Sequence, residues 1–305
     1  MTTTRQDISF AAFDGTVLRG WLYLPAPASG PLAGVVMSHG YSATRHMGLP
    51  PFALAIAEAG VAVLVYDHRC IGDSDGAPRQ LIDPFLQMRD MLTALDWLAA
   101  RPEVDPARLG LWGSSYSGGE VLIVGAMDPR VQAVVANVPY AGRPLELPPL
   151  APDQTTTDGF ADLAAHIRST GLPASFTPAR LVVPQAGTDA PAVMPQDEAT
   201  AWFMAAGGTP GSAWHNQTIT SAQPPAAPFD PALALAHLAA QTLFIVADED
   251  RVAPADNAIL ASQIMDTRAE LLLIAGHHFT PYAGEALDVA TKASADHFRR
   301  WLART

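Results

Sequence analysis

Three kinds of side chain in this 305-residue chain have the types and order needed to attack an acyl carbon. Ser115 lies in Gly113-Ser114-Ser115-Tyr116-Ser117, a carboxylate group follows at Asp248-Glu249-Asp250, and a histidine pair follows at His277-His278. A serine hydroxyl is a weak nucleophile until an imidazole takes its proton, and that imidazole works best when a carboxylate fixes its tautomer. The order Ser, Asp, His is one in which such a relay is built.

The elements around these residues are those the chemistry requires. Leu109-Gly110-Leu111-Trp112 reads as a buried strand, and Glu120 to Met127 reads as a helix. The Gly/Ser cluster between them predicts a tight turn that lifts Ser115 above the sheet edge, with the helix N-terminus aiming N–H groups at its hydroxyl. Gly113, Ser117 and Gly118 are small enough for strand and helix to approach closely. Ser117 stands where the G-x-S-x-G pattern has its second glycine, and serine is nearly as small. The bland alternative is a Gly/Ser loop that merely joins a strand to a helix.

Other strands end in groups that could serve the same step. Ala33 to Ser38 is a short apolar strand that runs into His39-Gly40-Tyr41-Ser42. The glycine lets the chain turn and leaves N–H groups free, so the Tyr41 and Tyr116 N–H groups are the expected oxyanion donors. His39 reads as a structural hydrogen-bonder. Val61 to Tyr66 is the next buried strand, and the loop after it starts at Asp67-His68-Arg69-Cys70. Asp67 and Arg69 read as loop-fixing pairs and Cys70 as packing; Asp67, Asp73 and Asp75 do not fit calcium-loop spacing. Thr242 to Val246 precedes the carboxylates. Asp250 is the best placed of them because Val252 and Pro254 lead into a helix at 255–265, with Asp248 and Glu249 as alternatives. Glu270 to Ala275 is the last strand, and both histidines lie at the loop tip beyond it, so residue chemistry alone leaves that pair open.

The remaining chain supplies a scaffold. Ile8 to Phe13 and Val17 to Leu24 flank Asp14-Gly15, a hairpin signal. Helical patterns cover 51–59, 84–100 and the C-terminal stretch to about residue 302. From 141 to 231 prolines crowd in, among them Pro144, Pro148, Pro149, Pro152 and Pro184. Helical patches remain at 160–170 and 197–206. That segment reads as a cap inserted over the active face of a core made of 1–140 and 232–305. Its aromatics, Phe160, Phe176, Trp202, Phe203 and Trp214, read as the cap's own core.

Composition narrows the function classes. Hydrophobic residues make up 49% of the chain, enough for a large core. The net charge of −12 opposes sequence-independent nucleic-acid binding, which needs a basic face. The single cysteine forbids an intrachain disulfide, and no Cys or His cluster suggests zinc. The N-terminus lacks a signal-peptide core and no run is long enough to span a membrane, so a cytoplasmic location is expected. The expected partner is a small-molecule acyl substrate, with neither nucleic acid nor membrane, and a homo-oligomer is allowed.

Five features in order carry a family likeness: Ser38-His39-Gly40-Tyr41, the Asp67 to Gly76 loop, the Gly113 to Gly119 elbow, Asp250 to Pro254, and Gly276 to Tyr282. On these the chain resembles the α/β-hydrolase superfamily over nearly its full length. It is most similar to capped bacterial esterase or peptidase-like members with a GSSYSGG-type elbow and an HFxxY-type histidine loop. The resemblance implies an α/β fold, with a mostly parallel central sheet flanked by helices and an inserted cap. It places the base at His278 and the acid at Asp250, and it requires neither a cofactor nor a metal. The expected reaction is ester hydrolysis through an acyl-enzyme on Ser115. An amidase or peptidase, a carbon–carbon hydrolase and a cofactor-free haloperoxidase would share the triad. A noncatalytic ligand-binding relative is the non-enzyme alternative. Ser115 argues against a dehalogenase, which needs a carboxylate nucleophile, and against dienelactone hydrolases, which usually carry cysteine there.

Overall fold

The computed structural model describes residues 2–26, 30–142 and 157–303. Eight strands form one sheet: β1 (Thr2–Ala11), β2 (Val17–Ala26), β3 (Leu32–Ser38), β4 (Val61–Tyr66), β5 (Val104–Ser114), β6 (Val131–Asn137), β7 (Gln241–Ala247) and β8 (Ala269–Ile274). Their spatial order is β1-β2-β4-β3-β5-β6-β7-β8. The six strands from β4 across to β8 run parallel, and the β1–β2 hairpin joins with β2 antiparallel to β4. The hairpin turns at Asp14-Gly15, where Gly15 takes φ +87° and Ala12 N–H donates to Thr16 O at 2.8 Å. β1 begins at Thr2, six residues before the expected start at Ile8. Its first half is a largely exposed polar edge paired to β2, so no apolar alternation announces it.

β4 explains how one sheet supports two helical layers. Ala62, Leu64 and Tyr66 point into one core cluster, while Val61, Val63 and Val65 point into another. The two-residue side-chain period sends alternate residues to opposite faces, and a strand buried on both faces reads as a continuous apolar run. α2 (Pro84–Ala99), α3 (Tyr116–Met127) and α6 (Ala255–Met265) cover the first face; α1 (Pro50–Glu58) and α7 (Gly284–Trp301) cover the second. Asp83 starts α2 by accepting from Phe85 N–H at 3.0 Å and Leu86 N–H at 3.1 Å, with Pro84 in the first turn, where its missing donor costs nothing.

Between β6 and β7, residues 157–231 hold two helices and isolated bridges rather than further ladder strands. The prolines at 144, 148, 149 and 152 lie outside the described residues. α4 (Thr157–Ser169) inserts Leu163, Ala164 and Ile167 into the core cluster shared with α2. α5 (Asp197–Gly207) joins Val182 and Val183 in a smaller cluster that also takes Ala43, Met47 and Phe279 from the loops at the strand ends. The insert is therefore fixed both to the main core and to the loops that carry the candidate site.

Candidate active site

Three parallel strands deliver the three candidate side chains to the same sheet edge. β5 ends at Ser114 and α3 begins at Tyr116, so Ser115 alone makes the turn, at φ +54° and ψ −114°. A side chain is strained in that region, and the surrounding backbone must over-determine it. Ser115 N–H donates to Asn137 O at 2.8 Å, and Ser115 O accepts from Tyr140 N–H at 2.9 Å. Strand and helix meet so closely that a Cβ at Gly113 would lie 2.1 Å from Ser117 O.

Ser115 Oγ lies 2.9 Å from His278 Nε2, and His278 Nδ1 lies 2.5 Å from Asp250 Oδ2. The second Asp250 oxygen accepts from the N–H groups of Val252 and Ala253, both at 2.8 Å. The carboxylate is thereby fixed by its own loop. With Nδ1–H donated to Asp250, Nε2 is free to accept the serine proton. The sequence alternatives lie elsewhere: Asp248 and Glu249 are exposed, and Asp248 accepts from Gly276 N–H at 2.8 Å. His277 is exposed and accepts from Phe279 N–H at 3.2 Å.

The expected oxyanion groups flank the serine. Among the described residues neither Tyr41 N–H nor Tyr116 N–H has a protein acceptor. A Cβ at Gly40 would press to 3.1 Å from the Ser115 Cβ, so glycine lets this loop lie against the elbow. The two tyrosine rings meet edge to face at 5.4 Å, and Tyr41 Oη lies 3.0 Å from Thr218 Oγ1 of the insert.

The sequence and the fold are similar to those of known proteins. The family described as X-Pro dipeptidyl-peptidase (S15 family) matches residues 14–144. A thiohydrolase, apmlB of Arthrinium phaeospermum, is 42% identical over 134 residues, which span 44% of this chain and 43% of the thiohydrolase. The chain thus matches less than half the length of that relative. The quorum-quenching protein AidA of Acinetobacter baumannii is 30% identical over 278 residues, covering 87% of this chain and 86% of AidA. The crystal structure of the α/β hydrolase GrgF from Penicillium sp. superposes with a TM-score of 0.73 at 25% identity, over 99% of this chain and 100% of GrgF. This chain belongs to the α/β-hydrolase superfamily.

Arg45 and Asp90 of this α/β hydrolase support the loops around the site, although the sequence did not single them out. Arg45 follows the Gly40 turn and closes it onto β4: its N–H donates to Asp67 Oδ1 at 2.7 Å, and its guanidinium pairs with Asp67 Oδ2 and, at 2.5 Å, with Asp73. Burial pushes the Asp67 carboxyl up, and the Arg45 charge opposes that rise. Arg69 instead pairs with buried Asp90 at 2.5 Å and with Asp14 at 2.9 Å. Asp67 and Arg69 each fix the loop as expected, through different partners. Cys70 is buried, and desolvation raises its thiol to about 11, in keeping with a packing role. His39 is also structural: Nδ1 donates to Gly40 O at 3.0 Å, Nε2 accepts from His68 N–H at 3.1 Å, and burial lowers it to about 4.

The reading of the insert aromatics as a private core needs correction. Trp202 and Phe203, with Met194, line a cavity of about 20 Å³ directly against Ser115 and His278. Trp202 stacks on Phe279, ring centroids 5.0 Å apart. Trp214 does pack on Phe203, and Phe160 faces the main core. Nothing in the spacing of Trp202 and Phe203 on a short helix says which of their neighbours is a loop of the core. Tyr282 was more accessible to sequence, standing four residues after His278. Its hydroxyl contacts Ser114 Oγ and accepts from Asn137 Nδ2 at 3.1 Å. A second cleft beside Ser115, of about 200 Å³, opens between Tyr41, Tyr116, Tyr140 and Val193. Among the described residues no helix is long and apolar enough to cross a membrane.

Proposed function

We propose that this α/β hydrolase is a serine hydrolase that cleaves carboxylic esters through an acyl-enzyme on Ser115. The observation that carries the reading is the unbroken relay from Ser115 Oγ through His278 to Asp250, at 2.9 and 2.5 Å, on a serine held at positive φ. His278 takes the Ser115 proton as Oγ attacks the acyl carbon. Asp250 stabilises the imidazolium, and the Tyr41 and Tyr116 N–H groups bind the oxyanion. His278 then returns its proton to the leaving alcohol, and a water activated by the same imidazole releases the acid.

Two features bear on the substrate. The cavity beside Ser115 is lined by Met47, Met194, Trp202 and Phe279 and holds about one water, so that side suits a short apolar group. The open cleft suits the larger part. The thiohydrolase relative favours thioesters as a second substrate class, because a thiolate leaves without needing the proton from His278. We further propose that residues 141–231 act as the cap, setting substrate size through Trp202 and Phe203.

The test is hydrolysis of p-nitrophenyl esters of rising acyl length, with matched acyl thioesters beside them, by wild type and Ser115→Ala. Turnover on esters that disappears in the variant is expected, with a loss of about 10⁶-fold for a missing nucleophile. Ester turnover retained by Ser115→Ala would refute the reading.

A further inference from the structure

Beneath the elbow lies a set of buried polar groups that acyl transfer does not use. Glu120 and Ser117 stand on the first turns of α3, His68 follows β4, and His39 follows β3; none is more than 1% exposed. Ser117 Oγ lies 2.6 Å from His39 O, 2.6 Å from Glu120 Oε2 and 3.0 Å from His68 Nε2.

Donor counting decides the protonation of this cluster. A serine hydroxyl carries one proton, and a carbonyl oxygen can only accept. Were Glu120 ionised, His39 O and Glu120 Oε2 would both need the Ser117 proton. One O···O contact of 2.6 Å would then hold no hydrogen. A protonated Glu120 removes the conflict. Ser117 donates to His39 O, Glu120 Oε2–H donates to Ser117 Oγ, and His68 Nε2–H donates to the same oxygen. His68 Nδ1 is then the bare nitrogen, and among the described residues it is a buried atom with no partner. Glu120 Oε1 is likewise buried and unpartnered, a position that suits the carbonyl oxygen of a neutral acid better than half of a carboxylate.

We propose that Glu120 is a positioning residue for the acyl-transfer step: a neutral carboxylic acid that holds Ser117, and through it the His39-Gly40 backbone, in register beneath Ser115. This rests on the reading of Ser115 as the nucleophile. The chain of contacts is short. Glu120 holds Ser117, Ser117 holds the His39 carbonyl, and the next residues are Gly40 and the candidate oxyanion donor Tyr41. Losing the Glu120 proton returns Ser117 to two competing acceptors and loosens that loop.

The neighbours favour the neutral state. Glu120 is raised to about 8 in all: burial is the largest influence, the Ser117 hydrogen bond works against it, and Asp83 and Asp90 on the α2 side add to the rise. His68, 3.7 Å away, is held well below its usual value by burial and by the nearby His39 and Arg69, so it supplies no counter-charge. Arg69 is engaged by Asp90 and Asp14. Tyr66 of β4 and Tyr116 of α3 complete the titratable groups facing Glu120, and burial raises both.

The experiment compares pH profiles of ester hydrolysis for wild type, Glu120→Gln and Glu120→Ala, with infrared difference spectra of each. The wild type should lose kcat above about pH 8 as Glu120 ionises. Glutamine donates to Ser117 without titrating. It should rescue turnover to within about threefold of wild type at neutral pH and abolish the fall near pH 8. Alanine should lower kcat about 100-fold with little change in KM, the size expected for a misplaced oxyanion donor. Should Glu120→Ala not fold, Glu120→Gln alone decides. The wild-type spectrum taken at about pH 6 minus that at about pH 10 should contain a carboxylic-acid C=O band that Glu120→Gln lacks. An unchanged alkaline fall in Glu120→Gln, or no such band in wild type, overturns the proposal. Full ester turnover by Ser115→Ala would instead defeat the nucleophile reading, and the infrared band would still report on Glu120.

Discussion

Trp202 of the insert lies flat on Phe279, the residue that follows His278, with ring centroids 5.0 Å apart and planes 25° from parallel. This stack closes the cavity beside Ser115 and ties the insert to the loop that carries the proposed base. Trp202→Ala should open that cavity. Two ester series test it, one of rising acyl length and one of acetates with rising alcohol length. In one of them the optimum should move to longer chains, with about a tenfold gain in kcat/KM, the scale of one or two methylenes in an apolar pocket. If neither optimum moves, Trp202 does not set substrate size.

The Asp250–His278 pair allows a sharper test than removing the nucleophile. Asp250 Oδ2 receives the Nδ1 proton while its other oxygen is held by two backbone N–H groups. Asp250→Asn keeps the shape and can present its amide N–H2 to Nδ1, which forces the proton to Nε2. kcat should fall about 10⁴-fold with the fold intact, the scale of the same change in a well-studied serine protease. Circular dichroism and the rate together check it; a loss below tenfold would place the acid elsewhere.

Arg45 ties the loop after Gly40 to Asp67 and Asp73. It neutralises Asp67, whose carboxylate is fully buried. Arg45→Met leaves that charge without its partner and should cost about 3 kcal/mol or more at neutral pH. The cost should shrink in acid, because burial already raises Asp67 and a protonated carboxyl needs no cation. Denaturant unfolding at neutral and acid pH measures both effects; equal losses at the two pH values would contradict the account.

The parallel sheet, Ser115 and Asp250 were legible in sequence for one reason, whereas the choice of His278 over His277 came from the family resemblance. A strand buried on both faces must be apolar throughout, and a chemically active residue just past it must stand out against that run. Ser115, Asp250 and the Gly40 turn are all of this kind. Contacts between distant parts of the chain were not legible. Phe203 carries the same pattern whether it faces its own helix neighbours or Ser115, and only the folding of the insert onto Ala43, Met47 and Phe279 decides which. Glu120 is a further case. A glutamate directly after a Gly-Gly pair reads as an ordinary helix residue, and its significance comes from a proton shared with Ser117, where the expected pattern has glycine.

Glu120 also leaves a signature in stability. Its folded value, raised by burial to about 8, stands above the ordinary 4.5 expected of the unfolded chain. For a group raised on folding, the unfolded state sheds its proton first. The stabilisation is complete below about pH 4.5 and is lost as pH climbs through about 8, beyond which both states are ionised. Glu120→Gln cannot titrate, so its stability relative to wild type should rise across that window and level off above it. Urea midpoints of the two proteins at about half-unit pH steps measure the difference directly. A difference that stays flat from pH 4.5 to 8 would mean that Glu120 is ionised in the folded protein. Ser117 would then have to give its single proton to one of two oxygens 2.6 Å away and leave the other unmatched.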